Sequence, residues 1–134
     1  MRPQVDHIAI KVDNLEQTVD TLCRIGFTLV HRECFEGIGI DLAEVELRGV
    51  RFELMRALHE RSPIAPDAAG LHHVAVQVDD LAVAYEVAGR DEGLQIVRDP
   101  APGRTGAPVF FARLARSSTL LEFVAARTPE QRGG

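Results

Sequence analysis

Residues 5–30 read VDHIAIKVDNLEQTVDTLCRIGFTLV, and residues 71–97 repeat that stretch as LHHVAVQVDDLAVAYEVAGRDEGLQIV. Without gaps the two copies are offset by 66 positions (73 − 7), which places His7 on His73. One inserted residue in the second copy keeps the ends of the two stretches aligned. A duplication that keeps a histidine at the same point of both copies predicts paired ligands for one shared metal.

Each copy begins with a strand and continues into a helix. In the strands, apolar residues alternate with a histidine, an alanine and a longer polar residue, which is the period-two pattern of a sheet with one buried face. A helix start signal follows, namely Asp13 with Glu16 three residues later, and Asp79 or Asp80 in the second copy. The first helix ends at Gly26. The apolar stripes consist of Leu15, Val19 and Leu22 in the first helix and of Leu81, Tyr85 and Ala88 or Gly89 in the second.

Three further strands are predicted after each helix, with Gly49 in a tight turn between two of them. Each half is therefore a βαβββ module, and the sequence predicts an α+β fold whose two modules form a curved mixed sheet around a central metal-binding cavity. The predicted strands are 27–31, 42–47 and 50–55, then 94–98, 109–113 and 119–124. We interpret 1–126 as a single domain, with module 1 at about 4–58, a linker at 59–70, module 2 at about 71–126 and a flexible tail at 127–134.

Composition limits the classes of function. At 134 residues and 46% hydrophobic, the chain can bury a core. A net charge of -5 without a basic cluster argues against a nucleic-acid partner. The first strand pattern begins at Val5 and no long apolar span is present, so we expect a soluble cytoplasmic protein that is not bound to membranes. Cys23 and Cys34 lack zinc-type spacing, and we expect both to be free, buried thiols.

A single glutamate interrupts the apolar last strand of each half. Glu53 lies 46 residues after His7 (53 − 7), and Glu122 lies 49 residues after His73 (122 − 73). If the apolar sides of the strands pack on the helices, all four side chains face the other side of the sheet. Burying them without a counter-charge would cost several kcal/mol. The sequence therefore predicts a divalent metal on His7, Glu53, His73 and Glu122, with Co, Ni, Mn, Fe or Zn all suited to nitrogen and oxygen ligands.

The doubled module with its His/Glu/His/Glu quartet resembles the vicinal oxygen chelate superfamily, which includes glyoxalase I, extradiol dioxygenases and bleomycin-binding proteins. Within it, the chain most resembles the methylmalonyl-CoA epimerases, and the likeness covers about residues 5–125. The runs that carry it are GLHHVAVQVDDL at 70–81, SPIA at 62–65 and DPAPG at 99–103. The resemblance implies metal ligands at the same four positions, a small-molecule substrate such as an acyl-CoA thioester, and a homodimer.

The resemblance also implies a reaction in which a glutamate removes a proton next to a carbonyl and a second group returns it from the opposite face. Glu122 resembles one of these bases. At the position of the other, where the epimerases carry glutamate after a Gly-Val pair, this chain has Leu42. Glu44 and Glu46 share a face of the same strand, and either could substitute; a solvated strand face explains them equally well.

Other functions fit the same residues. If Glu53 turned away, His7, His73 and Glu122 would form the two-histidine, one-carboxylate triad of non-haem iron oxygenases. A glyoxalase-like lyase would use the same quartet on another small metabolite. A metal-free protein that binds a drug or natural product is a third alternative, although such relatives have generally lost the quartet that this chain retains.

Overall fold

The structure is a computed structural model that describes residues 3–126. The chain divides into two compact units, one formed by His7–His72 and the other by residues 3–6 and 73–126. Each unit has one helix and a mixed sheet, which confirms the predicted α+β class and its two βαβββ modules. The elements, in chain order, are β1 Gln4–Lys11, α1 Leu15–Ile25, β2 Thr28–Phe35, β3 Ile40–Leu47, β4 Val50–Ala57, β5 Gly70–Val78, α2 Leu81–Arg90, β6 Leu94–Pro102, β7 Pro108–Leu114 and β8 Leu120–Ala125.

In the first unit the strand order is β2-β3-β4-β1. β1 runs parallel to β4, whereas β2, β3 and β4 are antiparallel neighbours. Helix α1 covers one face of this sheet, because its apolar stripe packs on the inward-facing residues of β3 and β4. The buried cluster consists of Leu15, Val19, Ala43, Val45 and Leu54. The opposite face of the sheet is left to the candidate site.

The ends of α1 follow from local capping. The N-cap is Asn14, whose side chain accepts a hydrogen bond from the Gln17 N–H at 3.0 Å. The predicted cap at Asp13 is therefore displaced by one residue, because both side chains can accept this bond and the packing of Leu15 selects the register. Gly26 ends the helix at φ 132°, a backbone conformation that other residues rarely adopt.

In the second unit the strand order is β5-β8-β7-β6, with β5 parallel to β8. Asp80 caps α2 through the Val83 N–H, as the sequence predicts for one of the two aspartates. The helix packs on β7 through Ala88, Phe110 and Ala112. The Phe110 and Phe123 rings stack with centroids 4.7 Å apart. The equivalent faces of the two modules are thus covered by equivalent helices.

Within residues 3–126 the predicted strands are confirmed in number, and several are longer than expected, β2 and β6 most of all. β2 continues to Phe35 and β6 to Pro102, and both carry register shifts that let the strands bend past their neighbours. The turn between β3 and β4 is confirmed, with Arg48 at φ 49° and Gly49 at φ 83°. The predicted tail at 127–134 lies outside the described residues, and the single-domain interpretation of 1–126 stays a prediction.

Two further features concern the surface. Cys23 and Cys34 are free thiols as predicted, but both are exposed. The prediction of buried thiols was wrong because Cys23 lies off the apolar stripe of α1 and Cys34 lies on the edge strand β2. Within residues 3–126, neither helix is long and apolar enough to cross a membrane.

A charged cluster joins three strands on the helix side of the first sheet. Asp41 on β3 is buried and accepts hydrogen bonds from Arg32 on β2 and from Arg56 on β4, the latter at 3.2 Å. Arg32 also donates to Glu16 on α1 at 3.0 Å. The hydrogen bond from Arg32, assisted by Arg56, lowers the pKa of Asp41, and the same bond raises the pKa of Arg32. The cluster ties α1 to the sheet.

Candidate metal centre

The first histidine and glutamate lie on neighbouring parallel strands. In the pairing of β1 with β4, Ala9 is opposite Glu53, and His7 shares the face of Ala9 two residues earlier. The His7 Nε2 atom is 3.7 Å from a Glu53 carboxylate oxygen. Both side chains lie on the sheet face away from α1 and are largely buried. The structure thus brings these two residues together in the first unit.

The second unit repeats this geometry with the same register. Ala75 on β5 is opposite Glu122 on β8, and His73 precedes Ala75 by two residues. The His73 Nε2 atom is 3.3 Å from a Glu122 carboxylate oxygen. The Phe111 ring on β7 stands edge-on to the imidazole, with centroids 5.5 Å apart and planes at 87°. Phe111 therefore packs against the His73 ring at the strand position opposite Glu122.

The donor set of each unit fits a metal. Imidazole nitrogen and carboxylate oxygen bind divalent transition metals at about 2.1 Å, so two adjacent ligand atoms lie about 3.0 Å apart in octahedral geometry and about 3.4 Å apart in the tetrahedral geometry of Zn. The two observed separations, 3.7 and 3.3 Å, are close to these spacings. Each unit thus offers one neutral donor and one anionic donor from a buried, water-poor surface. Two such pairs would balance the charge of one divalent ion.

The two remaining glutamates of interest lie on β3. Glu44 is opposite Glu53 in the β3–β4 register and is only 4% exposed, so it is not part of a solvated face. Arg51 donates to the Glu44 carboxylate at 3.2 Å and approaches the Glu46 carboxylate to 3.8 Å. Glu46 is more exposed than Glu44. Arg51 therefore compensates the charge of both carboxylates.

Leu42 contributes no polar group at the position where the resemblance implies a catalytic glutamate. It is buried in an apolar cluster with Ala9 and Met55 on the same face of the sheet. Glu44 is the next residue of β3 on that face, and in the register with β4 it lies directly opposite Glu53. The structure therefore offers Glu44 as the buried carboxylate nearest in register to the predicted ligand Glu53.

Two buried polar residues on the candidate faces were not singled out from the sequence. Lys11 follows His7 by four residues and Gln77 follows His73 by four, so strand alternation places each on the face of its histidine. Lys11 donates to backbone carbonyls of the connector, and Gln77 donates to Asp6 at 2.6 Å. Strand alternation predicts the face on which Lys11 and Gln77 lie, but it does not show that their side chains are buried.

His72 is adjacent to His73 on β5, so strand alternation places it on the opposite face of the strand. Its Nε2 atom lies 2.8 Å from the Asp67 carboxylate, in the segment that leads into β5. The connector folds back on the start of β5, which brings this carboxylate within reach. His72 is therefore a structural residue of the first unit.

Comparison with known families gives one profile match. The profile described as the Glyoxalase/Bleomycin resistance protein/Dioxygenase superfamily matches residues 6–111. Among curated proteins, the mitochondrial methylmalonyl-CoA epimerase of Dictyostelium discoideum is 28% identical over 117 residues, covering 81% of this chain and 69% of that protein. The human mitochondrial methylmalonyl-CoA epimerase is 26% identical over 114 residues, covering 81% of this chain and 65% of that protein. The chain thus spans about two thirds of the length of these relatives.

Solved structures agree over nearly the whole chain. A hypothetical protein from Bacillus halodurans superposes with a TM-score of 0.80 at 27% identity, covering 96% of this chain and 97% of that one. A variant of the Streptomyces coelicolor methylmalonyl-CoA epimerase, in complex with 2-nitronate-propionyl-CoA, superposes with a TM-score of 0.73 at 26% identity, covering 93% of this chain and 98% of that one.

Proposed function

Because the chain belongs to the Glyoxalase/Bleomycin resistance protein/Dioxygenase superfamily, we propose that it is a metal-dependent isomerase of the methylmalonyl-CoA epimerase type. The observation that carries this proposal is the repeated His/Glu pair, His7 with Glu53 and His73 with Glu122, in the same strand register in both units. A structural role alone gives no reason to keep two buried imidazole–carboxylate pairs at matched positions.

In the proposal the two pairs bind one divalent ion, with Co, Ni, Mn, Fe and Zn as candidates. When bound, the ion supplies Lewis acidity that lowers the energy of negative charge on a substrate carbonyl oxygen. The similarity to solved structures over 93% or more of the chain supports a common fold. The His7–Glu53 separation of 3.7 Å is compatible with Glu53 as a fourth ligand.

The chain's own carboxylates would move the proton. Glu122 takes the proton bound to the carbon next to the carbonyl, and the electron pair of that C–H bond passes into the carbonyl group. Glu44, protonated, then donates its proton to the other face of the same carbon, and the electron pair returns to form the new C–H bond. The configuration inverts, and the reverse reaction exchanges the two roles.

Glu44 suits the second role better than Glu46 for two reasons. It is buried and lies opposite Glu53 in register, whereas Glu46 is one strand repeat further away and more exposed. The hydrogen bond from Arg51 at 3.2 Å fixes the Glu44 carboxylate on the proposed substrate face. A base fixed in position loses little entropy when the substrate arrives.

The substrate class in the proposal is an acyl-CoA thioester with an ionisable carbon–hydrogen bond next to its carbonyl. The support is similarity to proteins named as methylmalonyl-CoA epimerases and to one solved with an acyl-CoA analogue. We also expect a homodimer, which sedimentation of the purified chain would test.

The experiment combines metal analysis with solvent isotope exchange. Protein purified without chelator should contain about one divalent ion per chain, and in deuterium oxide it should introduce deuterium next to the thioester carbonyl of methylmalonyl-CoA. A Glu44→Gln variant should epimerise at least 100-fold more slowly but still exchange the proton of one epimer, because a single base remains. Glu46→Gln is the matched control and should change the rate only a few-fold.

Two results would contradict the proposal. No exchange at full metal occupancy would exclude this substrate, and absence of a stoichiometric ion would favour a metal-free binding protein. Oxygen uptake after anaerobic loading with iron would instead indicate the oxygenase alternative.

A further inference from the structure

The connector between β4 and β5 lies on the same sheet face as His7 and Glu53. Its residue Ile64 is 6% exposed and packs with Ala9, Leu42 and Met55. Ala9 and Met55 are next to His7 and Glu53 on that face, because each follows its neighbour by two residues along a strand. The apolar cluster therefore begins about 7 Å along the sheet from the proposed metal ligands.

Polar contacts hold the connector in place on both sides of Ile64. The Lys11 ammonium, 8% exposed, donates to the backbone carbonyl of Ala65 at 3.1 Å and to that of Asp67. A charged donor on two carbonyls makes strong hydrogen bonds in a buried position. Ile64 is therefore fixed on its C-terminal side by a residue of the same strand that carries His7.

Close backbone packing fixes the other side. The Leu58 N–H donates to the Gly39 carbonyl at 2.9 Å. Gly39 has φ 79°, and a Cβ there would approach the His59 ring to 3.0 Å and the Ser62 Cα to 3.3 Å. Glycine at this point is what allows the connector to lie against the β2–β3 turn. The apolar side chain of Ile64 is thus held over Leu42 by contacts before and after it.

We infer that Ile64 is a specificity-determining residue that limits the length of the apolar group a substrate can place beside Glu53. The inference rests on the proposed function, since it assumes that the substrate binds on this face. Ile64 fills the space over Leu42 and Met55 that a longer alkyl chain would need, and the Lys11 contacts prevent it from moving aside. In such a pocket, substrates that differ by one methylene group are discriminated by about 10- to 200-fold.

The test uses cobalt-loaded protein and straight-chain alkyl hydroxamates of increasing length, which chelate metal through two oxygens and report binding through the visible cobalt spectrum. For the wild-type chain we expect affinity to fall beyond a limiting chain length. Ile64→Ala should extend that limit by two or three carbons and bind the first excluded hydroxamate at least tenfold more tightly than wild type. Ile64→Val, a milder change in case Ile64→Ala folds poorly, should extend it by one carbon.

Leu54→Ala is the matched control, because Leu54 is fully buried on the helix side of the same sheet. It should destabilise the protein without changing the limiting length. Lys11→Met should also increase the limiting chain length although Ile64 is unchanged, because the connector loses the hydrogen bonds from the Lys11 ammonium.

Four outcomes would overturn the inference. Equal weakening of all chain lengths in Ile64→Ala would show a structural role only, and the same shift in Leu54→Ala would show general loosening. If cobalt binds neither wild type nor the variants, the proposed metal site fails and the inference with it. If cobalt binds and the limit does not depend on Ile64, the inference alone fails.

Discussion

Asp41 is a buried carboxylate held between two arginines from neighbouring strands. Asp41→Asn removes the charge that Arg32 and Arg56 share and leaves both guanidinium groups with a weaker acceptor. We expect a loss of about 2 kcal/mol in the free energy of unfolding at neutral pH, moderated because both arginines are about one third exposed to solvent. Urea unfolding measures this loss, and Asp20→Asn on the exposed side of α1 is the control.

The same carboxylate predicts a dependence of stability on pH. Its pKa is lowered below 3.8 in the folded protein, mainly by the hydrogen bond from Arg32. The folded state therefore gains stability from Asp41 above the ordinary pKa and loses it as the pH falls through the lowered value. We expect the difference in stability between wild type and Asp41→Asn to shrink below about pH 4. A constant difference from pH 7 to pH 2 would contradict this origin of the stabilisation.

Glu53 and Glu46 provide a residue-by-residue test of the proposed ligands. Both lie on one face of the first sheet, but only Glu53 is paired with a histidine in the manner of the second unit. Replacing a residue that only contacts a metal ligand typically lowers metal affinity 10- to 100-fold. Because Glu53 is proposed as a ligand itself, we expect Glu53→Gln to weaken divalent-ion binding at least tenfold. Competition with a chromogenic chelator measures this affinity. Glu46→Gln should change it less than threefold, and equal effects would exclude Glu53 as a ligand.

Helix α1 shows which parts of an element the sequence can predict. Its apolar stripe and its end at Gly26 could be predicted from residue types alone. A buried helix face requires apolar residues at helical spacing, and a positive φ at the end of a helix strongly favours glycine. The start of α1 could not be predicted in this way, since Asp13 and Asn14 are both suitable caps and only the packing of Leu15 decides between them. The lengths of β2 and β6 were underestimated for a similar reason, as their extra residues are stabilised by neighbouring strands and not by local pattern.

The cap provides the prediction that belongs to this helix. Asn14→Ala should cost about 1 kcal/mol in the free energy of unfolding, because the Gln17 N–H loses its acceptor. Asp13→Ala, at the position that the sequence favoured, should cost less than about 0.5 kcal/mol because Asp13 does not cap the helix. Chemical denaturation of both variants measures the difference, and a larger cost at Asp13 would mean that the helix begins one residue earlier in solution.

The candidate site was predictable to the extent that it depends on strand alternation within a repeat. His7, Glu53, His73 and Glu122 were placed on one face of each sheet by counting residues, and their pairing follows from the parallel neighbours β1–β4 and β5–β8. The burial of Glu44 and its contact with Arg51 were not predictable in this way, because they depend on the register between β3 and β4. The position of the connector depends on buried contacts of Lys11 and Gly39 that no local pattern indicates.

The proposal that one ion is bound by both modules makes a prediction for the chain taken as a unit. Metal at 100 times its dissociation constant should add about 2.7 kcal/mol to the stability of the elements that bind it. Amide hydrogens that exchange only when these elements open should then exchange about 100-fold more slowly. If the ion is shared, protection should rise both in β4, which carries Glu53, and in β8, which carries Glu122. Glu122→Gln should reduce the added protection in β4 as well as in β8, because the loss of one ligand lowers the affinity for the ion that both modules share. Protection confined to one module, or unchanged in β4 when Glu122 is replaced, would show that each histidine–glutamate pair acts alone.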